Sequence, residues 1–177
     1  MTRLILLNGL PGVGKSTLAR RWAADHPGTL VCDVDVLRTW IGGWRDDFVG
    51  AGALVRPGAL GLIRGYLEGG DVVLPQLLAD PGELAKFREA GESAGAGFVH
   101  VLVADPSGDP AGRFRRRTGD DPWHADVRAL VEEAGGDAVI ERYAERLRLL
   151  EPDVVVPSVE GDEDGTYAAL LDALRSG

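Results

Sequence analysis

The stretch Gly9-Leu10-Pro11-Gly12-Val13-Gly14-Lys15-Ser16-Thr17 constrains this chain more than any other part of it. It satisfies the pattern G-x-x-x-x-G-K-[ST] in full. The glycines let the backbone turn tightly and point successive N–H groups inward, which makes a concave nest for anions. A helix opening at Lys15 adds its positive dipole end to the same point. Lys15 is expected to reach the β- and γ-phosphates of a nucleotide and Ser16 to ligate Mg²⁺, with Thr17 a further phosphate contact. The whole segment Gly9–Thr17 is therefore expected to hold ATP.

A phosphate loop needs a strand before it and a helix after it, and the flanks supply both. Leu4–Leu7 is a short apolar run, and Lys15–Asp25 is amphipathic. Further apolar runs at Thr29–Cys32, Asp71–Leu74, Phe98–Val103 and Asp153–Val156 read as strands. Helices are expected over Val36–Ile41, Pro57–Glu68, Pro81–Ala94, Asp109–Arg117, Ala125–Glu133, Asp137–Leu150 and Asp164–Leu174. Continuous apolar strands alternating with helices indicate a parallel sheet covered on both faces. The glycine-spaced stretch Gly42–Gly58 is the least regular part and is expected to form a mobile lobe. With no internal repeat and no dividing linker, residues 1–177 read as one α/β domain.

Composition excludes several classes. The single cysteine, Cys32, rules out internal disulfides and a cysteine-rich metal site, and His26, His100 and His124 lack metal-ligand spacing. No apolar stretch is long enough to span a membrane, and the first apolar run passes directly into the glycine turn instead of a cleavage site. Cytoplasmic residence is the expectation. A net charge of −9 argues against a general nucleic-acid binder.

Two acids follow the second strand, Asp33 and Asp35, with Arg38 three residues on. In a parallel sheet, ligands meet the carboxyl ends of strands, so these groups face the γ-phosphate from the acceptor side. Asp35 is expected to take the proton from an attacking hydroxyl, with Asp33 serving as a helix cap or as a ligand of magnesium-bound water. Arg38 would orient the acceptor or neutralise the transferring phosphoryl group. Trp40 and Trp44 follow at helical spacing, either lining the acceptor pocket or packing in the core.

On these residues Gly9–Arg38 resembles the small P-loop kinases, particularly the phage-type polynucleotide kinases, and is similar to chloramphenicol phosphotransferase in Val34-Asp35 and to zeta-toxin-type kinases in its D-x-D pattern. The resemblance implies a three-layer P-loop fold with strand order 2-3-1-4-5, a base at Asp35 and an acceptor contact at Arg38. It also implies a lid from the cluster Arg113-Phe114-Arg115-Arg116-Arg117, in which Arg113 stacks on adenine and Arg117 touches the transferring phosphate. Arg115 and Arg116 would face solvent or neighbouring acids, and Ser158–Gly161 would border the adenine pocket. One departure concerns Gln76, which stands after the third strand where polynucleotide kinases carry an aspartate. The Pro75-Gln76 pair is closer to the tunicamycin-resistance type, and it places a neutral amide at the acceptor.

The function expected is ATP- and Mg²⁺-dependent transfer of the γ-phosphate to a hydroxyl of a small metabolite or antibiotic. The alternatives are a polynucleotide or nucleoside 5′-hydroxyl kinase and a nucleotide-dependent switch without transfer chemistry. Gln76 and the acidic charge count against nucleic acid, and Asp35 with Arg38 counts against a switch.

Overall fold

The structure, a computed structural model, describes residues 1–116 and 122–175. Five strands, β1 (Arg3–Asn8), β2 (Leu30–Val31), β3 (Val72–Gln76), β4 (Gly97–Ala104) and β5 (Val154–Pro157), form one parallel sheet in the order β2-β3-β1-β4-β5. The helices between them are α1 (Lys15–Asp25), α2 (Val34–Arg38), α3 (Phe48–Tyr66), α4 (Pro81–Ser93), α5 (Pro110–Arg116), α6 (Pro122–Glu133) and α7 (Asp137–Arg148), and α8 (Glu163–Arg175) ends the chain.

Strand β1 is central and apolar on both faces because helices cover both sides. Its side chains alternate. Leu4 and Leu6 enter a core shared with α3 and α4, through Val55, Ala59, Ile63 and Phe87. Ile5 and Leu7 enter the opposite core, with Leu18, Trp22, Ile140 and Leu170. All four β1 residues are completely buried, and each such side chain contributes about 1.5–3 kcal/mol relative to exposure. Register then decides what sits at the functional edge. Asn8 pairs with Gln76 on one side and Leu102 on the other, so the strand ends that precede the phosphate loop and the Gln76 segment lie side by side.

The sharpest difference from expectation lies between residues 42 and 58. The helix expected from Pro57 begins at Phe48. Asp47 caps it, accepting a hydrogen bond from Gly50 N at 2.8 Å. Ala51, Val55, Ala59 and Ile63, four residues apart, form its buried stripe. Pro57 and Ala53, whose carbonyl the proline cannot serve, both lie on the solvent-exposed side of the helix. The short helix after the second strand also starts earlier than expected, at Val34, because Asp33 caps it.

Candidate active site

The loop after β1 adopts the geometry its glycines demand. Gly12 and Gly14 have φ of 91° and 86°. Gly9 passes so close to β4 that a Cβ there would lie 2.4 Å from the Val103 carbonyl oxygen. Gly14 is the N-cap of α1 and offers no side-chain oxygen, so the first-turn N–H groups are left to face a ligand. Lys15 Nζ donates to the Leu10 carbonyl at 2.8 Å, which folds the ammonium back over the loop.

Asp33 performs two tasks with its two oxygens. Oδ1 accepts from the N–H groups of Asp35 and Val36, at 3.1 and 3.4 Å, and thereby caps α2. Oδ2 accepts from the Ser16 hydroxyl at 3.0 Å. Cap and Ser16 partner are thus one group.

Capping sets Asp35 in the first turn of α2, on the wall of a cavity of about 760 Å³ that also exposes Lys15, Ser16, Thr17, Arg38 and Gln76. Desolvation by the surrounding walls raises the Asp35 pKa above the ordinary 3.8. Asp33 pushes the same way, whereas Arg38, Lys15 and a hydrogen bond from Gln76 pull it down. Arg38 is buried, 3.5 Å from Asp35 Oδ1, with its guanidinium 4.0 Å from the Phe48 ring centroid. Burial lowers the Arg38 pKa, and Asp35 opposes that shift.

Gln76 is held at the end of β3 by the register with Asn8. Asn8 itself is fully buried and ties two segments together. Its Oδ1 accepts from Gly9 N and Leu78 N, both at 2.9 Å, and its Nδ2 donates to the Leu78 carbonyl at 2.8 Å. His100, also fully buried, lies beside Asn8 at 3.1 Å, and burial lowers its pKa. His26 stacks on Trp22 with centroids 3.8 Å apart.

The arginine cluster divides. Arg113 is buried, donating to the Ser158 carbonyl and, at 2.8 Å, to the Ser158 hydroxyl, with Asp105 Oδ1 at 3.6 Å. Ser158 Oγ donates to the Val13 carbonyl at 2.8 Å, so Arg113 reaches the phosphate loop through Ser158. A smaller cavity of about 190 Å³ behind that loop is lined by Gly12, Thr17 and Arg113 together with Ser158–Gly161. Arg115 pairs with Asp137, and Arg116 with Asp109 and Glu160. Arg117 and the expected hinge lie outside the described residues, as does the His124 side chain.

Of the two tryptophans, Trp40 is exposed and Trp44 is buried against Phe48, and neither lines the large cavity. Phe48 takes that place. Sequence reasoning also missed Arg20, Arg56 and Arg146, which reach the cavity from α1, α3 and α7. Isolated arginines on helices far apart in the chain carry no local signal; only the fold converges them. Asn8, the residue immediately before the first loop glycine, was legible by position.

The donors fit magnesium and a nucleotide triphosphate. Mg²⁺ keeps most of its waters and takes few protein oxygens, and the Ser16 hydroxyl with the Asp33 carboxylate beside a phosphate nest is such a set. Among the described residues no cluster of three His, Cys, Asp or Glu forms a dedicated cage. No helix among them is long and apolar enough to cross a membrane.

Comparison with known proteins agrees with this geometry. The chain superposes on an APS kinase of Mycobacterium tuberculosis in complex with AMPPNP and APS, at a TM-score of 0.67 and 21% identity over 98% of each chain. Shikimate kinase from Aquifex aeolicus gives 0.64 and 16% identity, covering 99% of this chain and 97% of that one. The tunicamycin resistance protein of Deinococcus radiodurans gives 0.63 and 18%, covering 100% and 96%. No protein of curated function matches the sequence significantly. Residues 4–149 match the AAA domain family (AAA_33). With its phosphate loop, its 2-3-1-4-5 sheet and that match over most of its length, the chain belongs to the AAA domain family and has the fold of the small P-loop kinases.

Proposed function

We propose that the protein transfers the γ-phosphate of MgATP to a hydroxyl group of a small molecule. One observation carries this reading: Lys15 and Ser16 at the phosphate end and Asp35 with Gln76 at the other line a single cavity. A switch protein requires no carboxylate facing the phosphate across an open pocket of this size.

When bound, MgATP supplies the phosphoryl group and a cation that offsets its charge. Lys15 and the first-turn N–H groups of α1 would hold the phosphates, and Ser16 with Asp33 would hold the cation. Asp35 accepts the proton of the acceptor hydroxyl as its oxygen bonds to the γ-phosphorus and the bond to the β–γ bridging oxygen breaks, leaving ADP. Arg38 keeps Asp35 oriented, and Arg20 and Arg146 stand at the cavity wall where charge spreads over the transferring oxygens.

The test is transfer of labelled phosphate from ATP to a panel of hydroxyl compounds, with Lys15→Ala as control. We expect transfer by the wild type and its abolition in the variant, with weakened ATP binding. ATP binding without transfer to any acceptor would overturn the kinase reading, and full activity of Lys15→Ala would overturn the loop assignment.

A further inference from the structure

The large cavity is also lined by Phe48 and Arg56 of α3 and by Asp80 and Glu83 at the start of α4. Two guanidinium groups meet there, and they are not equivalent. Arg38 is enclosed: its side chain is 6% exposed, it pairs with Asp35, and it lies over the Phe48 ring. Gly52 of α3 makes room for it, since a Cβ at that position would stand 3.1 Å from Arg38 Nη2. The resemblance to polynucleotide kinases placed the acceptor contact on Arg38; in the structure the same guanidinium lines the cavity and also braces Asp35.

Arg56 is the open one, with 37% of its side chain exposed. Its ionic partner is Glu83, reached through Nε at 3.7 Å, and the other oxygen of Glu83 already takes Lys86 Nζ at 2.6 Å. The two terminal nitrogens of Arg56 make no hydrogen bond among the described residues. Both guanidinium groups line the cavity, and after burial the positive charge of Arg56 also lowers the Arg38 pKa, against the pull of Asp35. A free guanidinium fork there matches the geometry of a carboxylate or phosphate.

Gln76 supplies the second constraint. It is 6% exposed and lies beside Asp35, whose pKa it helps to hold down. Oε1 has no hydrogen-bond partner among the described residues. A buried carbonyl left in this way is costly, and a donor from a bound molecule relieves the cost.

We propose that the phosphate acceptor is a small oxyanion with at least two hydroxyl groups, its carboxylate or phosphate seated on the fork of Arg56 and one hydroxyl donating to Gln76 Oε1. A neighbouring hydroxyl then faces Asp35, and the carbon skeleton rests on Phe48, Pro75 and Leu77. This rests on the kinase reading above for the reaction, but not for the binding.

The experiment loads the protein with AMP-PNP and Mg²⁺, so that the phosphate loop is filled. Calorimetry then titrates hydroxycarboxylates beside their amides, sugar phosphates beside the free sugars, and a 5′-hydroxyl oligonucleotide. We expect at least one small anion to bind at least ~10-fold more tightly than its neutral counterpart. Arg56→Gln should weaken that anion ~10–100-fold, Arg56→Lys less, with AMP-PNP affinity and melting temperature near wild type. The arm that responds tells carboxylate from phosphate. The inference is overturned if neutral counterparts bind as well, if Arg56→Gln binds the anion like wild type, if no small anion binds, or if the oligonucleotide binds most tightly. Arg56-dependent anion binding without phosphoryl transfer would support this inference while removing the kinase reading. Transfer to neutral acceptors alone would do the reverse.

Discussion

Ser16 donates its hydroxyl hydrogen to Asp33 across 3.0 Å, joining the first turn of α1 to the cap of α2 through one carboxylate. Because Oδ1 caps and Oδ2 faces Ser16, the two functions are separable by substitution. Asparagine caps as well as aspartate but lacks the charge. Asp33→Asn is expected to keep its melting temperature and to require more Mg²⁺ for half-maximal turnover. Asp33→Ala should lose the cap as well, at about 1 kcal/mol of stability. Thermal melts and Mg²⁺ titrations of the two variants distinguish these effects, and equal Mg²⁺ dependence in wild type and Asp33→Asn would remove the metal role.

Asp35 should be the most damaging carboxylate to neutralise. Asp35→Asn is expected to lower turnover about 10²–10⁴-fold with little change in ATP affinity. The direction of its pKa adds a pH signature. The base works when deprotonated and its pKa is raised, so turnover should fall on acidification through an apparent pKa above 3.8. In stability the sign reverses. A carboxyl with a raised folded pKa favours the fold most below its unfolded pKa, and that contribution is lost as pH rises through the folded value. A wild-type pH–rate profile and denaturation of wild type and Asp35→Asn across pH 4–7 check both signs.

Arg113 should matter through structure where its neighbours do not. Removing it leaves Asp105 buried without its ion pair and Ser158 without two hydrogen bonds. Breaking a buried pair in this way costs about 3–5 kcal/mol. Arg115 and Arg116 are exposed, and their alanine variants should unfold close to wild type. Chemical denaturation of the three variants would sink this assignment if all three lost equal stability.

Gly9→Ala should abolish nucleotide binding without touching a catalytic side chain. The added methyl carbon would stand 2.4 Å from the Val103 carbonyl oxygen and 3.0 Å from Val13 Cγ2. A backbone carbonyl in a central strand cannot yield, so the loop must move instead. Nucleotide affinity, measured directly, decides it.

What the sequence determined alone was everything that depends on neighbours along the chain. The loop Gly9–Thr17, the apolar strands and the Asp33 cap follow from steric freedom, hydrophobic period and short-range hydrogen bonding, and these act within a few residues. Helix α3 shows where that reach ends. Its glycines and Pro57 speak locally against a helix, yet burying Val55, Ala59 and Ile63 in one core with β1 and β3 outweighs them. The acceptor end of the cavity was decided by tertiary structure alone. Arg38 and Arg56 are both arginines in the sequence. Both line the cavity, and only the packing of α3, with Gly52 open to one guanidinium and Glu83 shared with Lys86 beside the other, buries the first and leaves the second open to solvent.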